Sequence, residues 1–392
     1  MIKPTANHYL CMIFTEMANV IIKQVTSEKS LMDFIKFPMK LYKNNPNYVP
    51  PLVNDEKNIW NPKENPALRY SEAKQFLAYK NKKIVGRIAV IINHKEENEL
   101  GINKVRFGWL DFIDDQEVSK ALIDEAIKFA KEKNFRKIEG PMGFTNLDKA
   151  GMLTMGFENL ATMIGIYNAD YYPKHIENLG LKKEKEWVEF EIVFPDLLPE
   201  KVEKFSQLIS EKYKLKILKF NNKKEILPLV EQMFRLLDET YKNLSTYTPI
   251  TDEQIAHYKE KYFGFIDKDY IVCIENENRN LIAFAITMPS YSKALQKSGG
   301  KFFPFGWWHF LQAGKKNDRA NFYLIGIHPD YQRRGVTAII FKEIYEIFRK
   351  KGVKYLETNP ELEENKNIQL LWQDYNPVNH KRRRTYALEI TE

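Results

Sequence analysis

Residues 327–352 read IHPDYQRRGVTAIIFKEIYEIFRKKG, in which an apolar strand end leads through a basic, glycine-containing turn into a helix. The first backbone N–H groups of a helix have no partner within it, and the helix dipole adds partial positive charge there. Gly335 has no side chain to hold a ligand away from these groups. We therefore predict that this corner binds a diphosphate ligand.

The segment after this turn has the periodicity of an amphipathic helix, and Gly352 provides a stop signal at its end. Its apolar positions are Val336, Ile339, Ile340, Ile344, Ile347 and Phe348. A short apolar stretch over 353–357 has the pattern of a strand. The sequence thus predicts a βαβ unit with parallel strands and places the anion-binding turn at its first corner.

Length and composition describe a globular protein with two to three domains. The chain has 392 residues, of which 44% are hydrophobic, and a formal charge of +8. Cys11 and Cys273 are its only cysteines, which excludes a disulfide framework and a clustered zinc site and favours the cytoplasm. We expect no bound metal, no targeting signal and no membrane span.

An internal duplication is indicated when the chain is shifted by 218 positions. Gly326 then falls on Gly108 and Glu357 on Glu139, and the helix and its stop residue also coincide. At the corner itself, acidic residues over 114–117 replace the basic turn. Carboxylates at a helix start satisfy the same N–H groups as a phosphate and repel it, so we expect the first copy to be self-capped and to bind no diphosphate.

Further elements precede each βαβ unit. Strands are expected at 84–92, 270–274 and 281–288, and helices at 223–241 and 252–263, so a half reads as helices, antiparallel strands and then βαβ. A proline-flanked break near 194–199 separates the halves. We predict an N-terminal extension over 1–19, a degenerate domain over 20–195 and a catalytic domain over 196–392.

The corner resembles the acyl-CoA-binding motif of the GNAT N-acetyltransferase superfamily, Gln/Arg-x-x-Gly-x-Gly/Ala, which Gln332 and Gly335 match and from which Thr337 departs. In the first half, 86–92 and the segment from Tyr171 to Leu181 are also GNAT-like. The resemblance implies tandem modules of α+β or α/β class, each a mixed, mostly antiparallel twisted sheet flanked by helices. It also implies contacts with acyl-CoA at Leu324, Ile325, Gly326, Ile327, Gln332, Arg333, Arg334, Gly335, Val336, Thr337, Ala338, Asn365 and Trp372.

The superfamily places a tyrosine that protonates the leaving thiolate in the helix that follows Asn365. Trp372 occupies that spacing here, so the role moves to Tyr375 or to water, or is absent. For the amine, Glu357 is the candidate base if an apolar setting raises its pKa, and a solvated strand-end carboxylate is the alternative. His328 is a second candidate proton relay.

Acceptor-binding candidates are Glu239, Tyr241 and Trp307, although an aromatic cluster such as the one around Trp307 is most often a packing surface. The basic run over 381–384 is expected near the end of a strand, as a solvated face or in contact with the 3′-phosphate of CoA or an anionic acceptor.

The leading interpretation is an N-acyltransferase that uses acetyl-CoA or another acyl-CoA and a small-molecule or peptide amine. A CoA-binding sensor without turnover is the alternative. A nucleic-acid-binding module ranks lower, and we expect neither nucleic acid nor membrane as a partner.

Overall fold

A computed structural model describes residues 19–195, 197–198, 200–241, 250–263 and 267–391, with side chains except at 261–263. In the first half the elements are β1 Ile21–Gln24, α1 Glu28–Leu41, α2 Val53–Ile59, β2 Ser71–Lys80, β3 Lys83–Asn93, α3 His94–Leu100, β4 Val105–Phe112, α4 Gln116–Glu132, β5 Lys137–Gly140, β6 Met152–Met155, α5 Tyr171–Asn178 and β7 Lys182–Val193. In the second half they are α6 Glu200–Lys212, β8 Lys216–Ile217, α7 Leu227–Tyr241, α8 Asp252–Phe263, β9 Ile271–Glu275, β10 Leu281–Pro289, α9 Ser292–Ser298, α10 Gly306–Lys315, β11 Arg319–Ile327, α11 Val336–Lys351, β12 Tyr355–Thr358, β13 Glu361–Leu362, α12 Lys366–Gln369 and β14 Val378–Glu389.

One sheet of fourteen strands runs through both halves of the described chain, in the order β1-β2-β3-β4-β5-β14-β7-β12-β11-β10-β9-β8, with β13 beside β7 and β6 beside β14. The pairing is antiparallel except for β4 with β5 and β11 with β12. Helices cover the sheet. This mixed, mostly antiparallel architecture with a βαβ unit in each half confirms the predicted fold class.

The last strand of each half pairs with the other half. β14, from the end of the chain, lies between β5 and β7, whereas β7, from the first half, lies between β14 and β12. Main-chain hydrogen bonds therefore join the two halves, and each half's sheet is completed by a strand from the other.

The helix of each βαβ unit buries one apolar face against the sheet, as its periodicity predicts. In α11 the buried positions include Val336, Ile340 and Phe348, and Gly352 ends the helix in a left-handed conformation. In α4 the same side is formed by Val118 and Leu122. Each helix thus fixes the position of the corner at its N-terminus.

The two parallel strands of the second half diverge after a short pairing. β12 pairs with β11 only from Arg319 to Phe322, so the rest of β11 has no partner on that side in the described chain. A β-bulge at Tyr323, opposite the step from Ile286 to Thr287 in β10, bends the strand at the same place. A wedge therefore opens between the C-terminal parts of β11 and β12.

The same wedge occurs in the first half. The registers of the paired strands in the two halves also correct the alignment of the two copies. Glu139 lies opposite Arg106 and Glu357 lies opposite Asn321, so the central strands match at a shift of 215 positions, whereas the following strands match at 218. Gly326 is therefore not the counterpart of Gly108. The difference lies in the corner loop, which spans 328–335 in the second half and only 113–115 in the first.

No helix in the described ranges is long and apolar enough to cross a membrane.

Candidate active site

The predicted anion-binding corner has an open geometry. Arg333 and Gly335 adopt left-handed conformations with φ of 58° and 81°, which turn the chain from β11 into α11. Among the described residues, no backbone acceptor lies within hydrogen-bonding reach of the amides of Gly335, Val336 and Thr337, and no side chain caps the helix. These amides are available to a ligand, in the arrangement that binds phosphate at helix N-termini.

Several contacts hold this loop in place. The side-chain amide of Gln332 donates to the carbonyl oxygen of Ile327 at 3.0 Å, so it ties the loop to the end of β11. The guanidinium of Arg334 lies over the ring of Tyr213, 5.6 Å from its centroid. Val336 is buried, and Ala338 donates its amide back to Gly335 at 2.9 Å. The predicted binding residues from Gln332 to Ala338 therefore form one ordered corner.

The corresponding corner of the first half is closed by its own side chains. Asp115 accepts the backbone N–H of Glu117 at 3.0 Å, and Lys80 donates to both carboxylates at 2.8 Å. Burial raises the pKa of Asp115, but Lys80 and the backbone donors outweigh it and hold the pKa below its ordinary value. The helix N-terminus already has an anion of its own, as the sequence predicted.

The backbone of β11 faces the wedge at alternate residues. Asn359 donates its side-chain amide to the carbonyl of Tyr323 at 2.7 Å, and the Tyr241 hydroxyl lies 3.4 Å from the carbonyl of Ile325. In a strand the N–H and C=O of one residue point to the same side, so the amides of Ile325 and Ile327 face the wedge. On the other side, the amide of His328 donates to the carbonyl oxygen of Ile282 at 2.8 Å, so the amides of Leu324 and Gly326 face β10. The amides of Ile325 and Ile327 are thus directed into the open space of the wedge.

Glu361 is a buried carboxyl group beside this wedge, and the sequence analysis did not identify it. One of its oxygens accepts the indole N–H of Trp372 at 2.7 Å, and the other is buried with no partner among the described residues. Trp372 packs edge-on against Phe322 of β11. Burial raises the pKa of Glu361 to about 8. Burial also raises the pKa of Tyr241 to about 12, with a smaller contribution from the charge of Glu361.

No sequence signal marked Glu361, because it follows the strand in a loop-like stretch whose burial depends on the pairing of β13 with β7. The corresponding stretch of the first half, 141–144, contains no carboxylate. This difference between the two copies is the one sequence signal that would have distinguished Glu361 from the other acidic residues of the chain.

Glu357 does not have the expected raised pKa. It is buried, as predicted, but it forms an ion pair with Lys381 and lies 3.3 Å from Nε2 of His380. Burial raises its pKa, yet Lys381 and His380 together hold it below the ordinary value. Its counterpart Glu139 makes the same kind of pair with Lys104 at 2.8 Å. A carboxylate that is stabilised in its charged form is a weak base, so the geometry supports a structural role.

The basic run over 381–384 is not a solvated face, and it lies outside the corner loop. Lys381 and Arg383 are 1% exposed, and Arg383 pairs with the buried Glu189 of β7. Arg382 and Arg384 both contact Glu186. The run lies in β14 at the seam between the halves, where buried positive charges meet the acids of β7.

The other predicted residues lie in three different places. Tyr375 is packed against Phe341, and its buried hydroxyl has no partner among the described residues, so burial raises its pKa. Asn365 begins α12 without a side-chain capping bond. His328 lies half-exposed at the start of the corner loop, with Nε2 3.6 Å from a carboxylate oxygen of Glu239.

Trp307 lies exposed on α10, and its contacts are with its own segment. Its indole N–H donates to the carbonyl oxygen of Pro304 at 2.8 Å, and its ring packs edge-on against Trp308. The structure therefore brings together β11, the corner loop, Glu239, Tyr241 and Trp372, but not Trp307.

Two curated proteins are similar to the chain over nearly its whole length, and no protein-family model matches it. It is 24% identical to protein YghO of Escherichia coli (strain K12), in an alignment that covers 96% of this chain and 99% of that protein. It is 21% identical to the bacterial ceramide synthase of Caulobacter vibrioides, in an alignment that covers 94% of this chain and 97% of that protein.

Solved structures show the fold. A tandem GNAT protein from the clavulanic acid biosynthesis pathway superposes with a TM-score of 0.55 at 9% identity and covers 95% of this chain and 99% of its own. A GCN5-related N-acetyltransferase from Sphaerobacter thermophilus gives 0.51 at 8% identity, with coverages of 95% and 96%. The chain thus has a tandem GNAT fold, as its sequence predicted.

Proposed function

We propose that the protein is an acyl-CoA-dependent N-acyltransferase whose second half binds the donor, while the first half is a degenerate partner. The observation that carries this proposal is the contrast between the two corners. In the second half the amides of 335–337 are open, whereas in the first half Asp115 occupies the equivalent donors. Of two copies of one fold, only the second retains a place for a diphosphate.

Each step of amide formation has a candidate group. The corner residues 332–338 hold the diphosphate, and the wedge-facing amides of Ile325 and Ile327 polarise the thioester carbonyl. The amine nitrogen attacks that carbon, the carbon–sulfur bond breaks, and Glu361 passes the proton of the amine to the leaving thiolate. A pKa of about 8 suits this group for both transfers near neutral pH.

For the acceptor we propose an amine that carries a long alkyl chain. The similarity to a ceramide synthase supports this choice, since a ceramide is an N-acylated long-chain amine. Acetyl-CoA is the default donor, and long-chain acyl-CoA is the donor that this similarity adds. We place the reaction in the cytoplasm, where both acyl-CoA donors are available.

The experiment is a donor-by-acceptor screen with the full chain. Acetyl-CoA and palmitoyl-CoA are each incubated with a sphingoid base, a polyamine and an amino acid, while free thiol and amide product are measured. The proposal expects thiol release that depends on one acceptor and matches amide formation one to one. Hydrolysis without amide, or no release with any pair, would contradict it.

A CoA-binding sensor is the second candidate, and one observation favours it. Trp372 stands at the family's tyrosine position, and its indole N–H is committed to Glu361. Tight CoA binding without turnover in the screen would identify this alternative.

A further inference from the structure

A patch of exposed aromatic side chains covers α10 and the segment before it. The exposed fraction is 72% for Phe303, 75% for Phe305 and 52% for Trp308. Its other exposed apolar members are Phe302, Trp307 and Leu311. Exposed hydrophobic residues are common singly, but six within ten consecutive positions form a contiguous apolar surface, which marks an interaction site.

Lysine residues flank this patch along the chain. The stretch from 278 to 317 contains no aspartate or glutamate. Its lysines are Lys293, Lys297, Lys301, Lys315 and Lys316, and all five are exposed. None of them forms an ion pair with a described residue, so their charge is directed towards solvent.

The helices that carry the patch pack against the rest of the protein. On the inner side of α10, Phe310 is buried against Tyr291, with ring centroids 5.3 Å apart. Gln296 of α9 donates to the carbonyl oxygens of Pro46 and Tyr48 at 2.7 and 2.9 Å. The segment between β10 and β11, which contains α9 and α10, thus packs on the first half with its inner side, and its outer side is exposed to solvent.

We propose that this face docks on an anionic lipid bilayer. Exposed aromatic side chains flanked by exposed lysines fit the boundary between head groups and acyl chains, where the aromatic rings insert and the ammonium groups contact lipid phosphates. A second copy of the chain fits less well, because a symmetric pairing would bring the same lysines together. The proposal departs from the expectation, drawn from the sequence, that no membrane is a partner.

The docking face is also connected to the central strand. Phe310 and Ala313 of α10 belong to the same hydrophobic cluster as Tyr323, the bulge residue of β11. If the acceptor is a lipid amine, the face would bring the catalytic half to the surface that holds it. This corollary rests on the proposed function, whereas the docking itself does not.

The test is flotation of the full chain with vesicles of phosphatidylcholine, with and without 30 mol% (about one lipid in three) phosphatidylglycerol. We expect binding to the anionic vesicles only, with a blue shift of tryptophan emission. Phe303→Ser/Phe305→Ser/Trp308→Ser should weaken it at least about tenfold. Phe205→Ser/Leu208→Ser on α6 is the matched control, since both residues are exposed apolar side chains elsewhere, and should change it less than about twofold.

A second variant tests the charges. Lys297→Gln/Lys301→Gln/Lys315→Gln should weaken binding and reduce its sensitivity to salt. Circular dichroism and CoA titration of every variant separate loss of docking from misfolding and from failure of the proposed function. Equal binding by wild type and the aromatic variant, equal binding to neutral and anionic vesicles, or a dimer that the aromatic variant abolishes would overturn the proposal.

Discussion

The carboxyl group of Glu361 accepts the indole N–H of Trp372 at 2.7 Å, while its second oxygen is buried without a partner among the described residues. This arrangement predicts the effect of Glu361→Gln, which keeps the shape and the indole contact but cannot take a proton. We expect kcat to fall at least about 100-fold with CoA affinity unchanged.

The pH–rate profile gives the second readout of this variant. A base with a pKa of about 8 must lose its proton before it acts, so the wild-type rate should rise through that pH and level off above it. An unchanged profile in Glu361→Gln would remove Glu361 from the mechanism.

The same carboxyl group predicts a pH dependence of stability. Its pKa is about 8 in the folded protein and 4.5 for an ordinary glutamate, so between these values the folded state holds a proton that the unfolded state has lost. The free energy of unfolding should therefore fall as pH rises through this window, by up to about 1.4 kcal/mol per unit. Urea unfolding at pH 6 and 8 measures it. An equal fall in Glu361→Gln would assign the effect to other groups.

For Glu357→Gln we predict a loss of stability without a change in the pH–rate profile. The substitution leaves the ammonium of Lys381 buried without its charge partner, which costs about 3–5 kcal/mol. Because the pKa of Glu357 is held below its ordinary value, its contribution is complete at neutral pH and is lost only in acid.

The double variant Glu357→Gln/Lys381→Met is the control for this prediction. It removes both charges and should recover most of the stability. If Glu357→Gln instead flattens the pH–rate profile while remaining folded, Glu357 is a base after all.

Strand exchange predicts that the end of the chain stabilises its beginning. Tyr386 of β14 is fully buried in the hydrophobic cluster of the first half, and its hydroxyl donates to Glu177 at 3.0 Å. Tyr386→Ala should cost about 3–5 kcal/mol in one cooperative unfolding transition. Val378→Ala, at a position 60% exposed on the same strand, should cost less than about 0.5 kcal/mol. Separate transitions for the two halves would contradict the exchange.

Features set by local sequence were predictable. The helix over 336–351 followed from its periodicity, the open corner from Gly335 and its basic neighbours, and the closed corner from Asp115. In each case a few neighbouring residues fix the conformation through capping, dipole and glycine geometry.

Features set by long-range pairing were not predictable. The exchange of β7 and β14 depends on which strand edges meet, and it turns Lys381 and Arg383 from an apparent surface run into buried ion pairs. The sign of the pKa shift at Glu357 depends on the same seam. Glu361 was missed because its burial depends on long-range contacts, the pairing of β13 with β7 and the packing of Trp372.

The most direct test of the donor-site assignment is calorimetric titration with CoA of three corner variants, Gly335→Asp, Gly335→Ala and Asp115→Asn. Gly335→Asp places a carboxylate at the open helix N-terminus, as Asp115 does in the first half, and Gly335→Ala controls for strain at its φ of 81°. We predict one CoA site per chain, with affinity at least about tenfold lower in Gly335→Asp and unchanged in Asp115→Asn. Unchanged binding in Gly335→Asp, or loss of binding in Asp115→Asn, would contradict the assignment of the donor site to the second half.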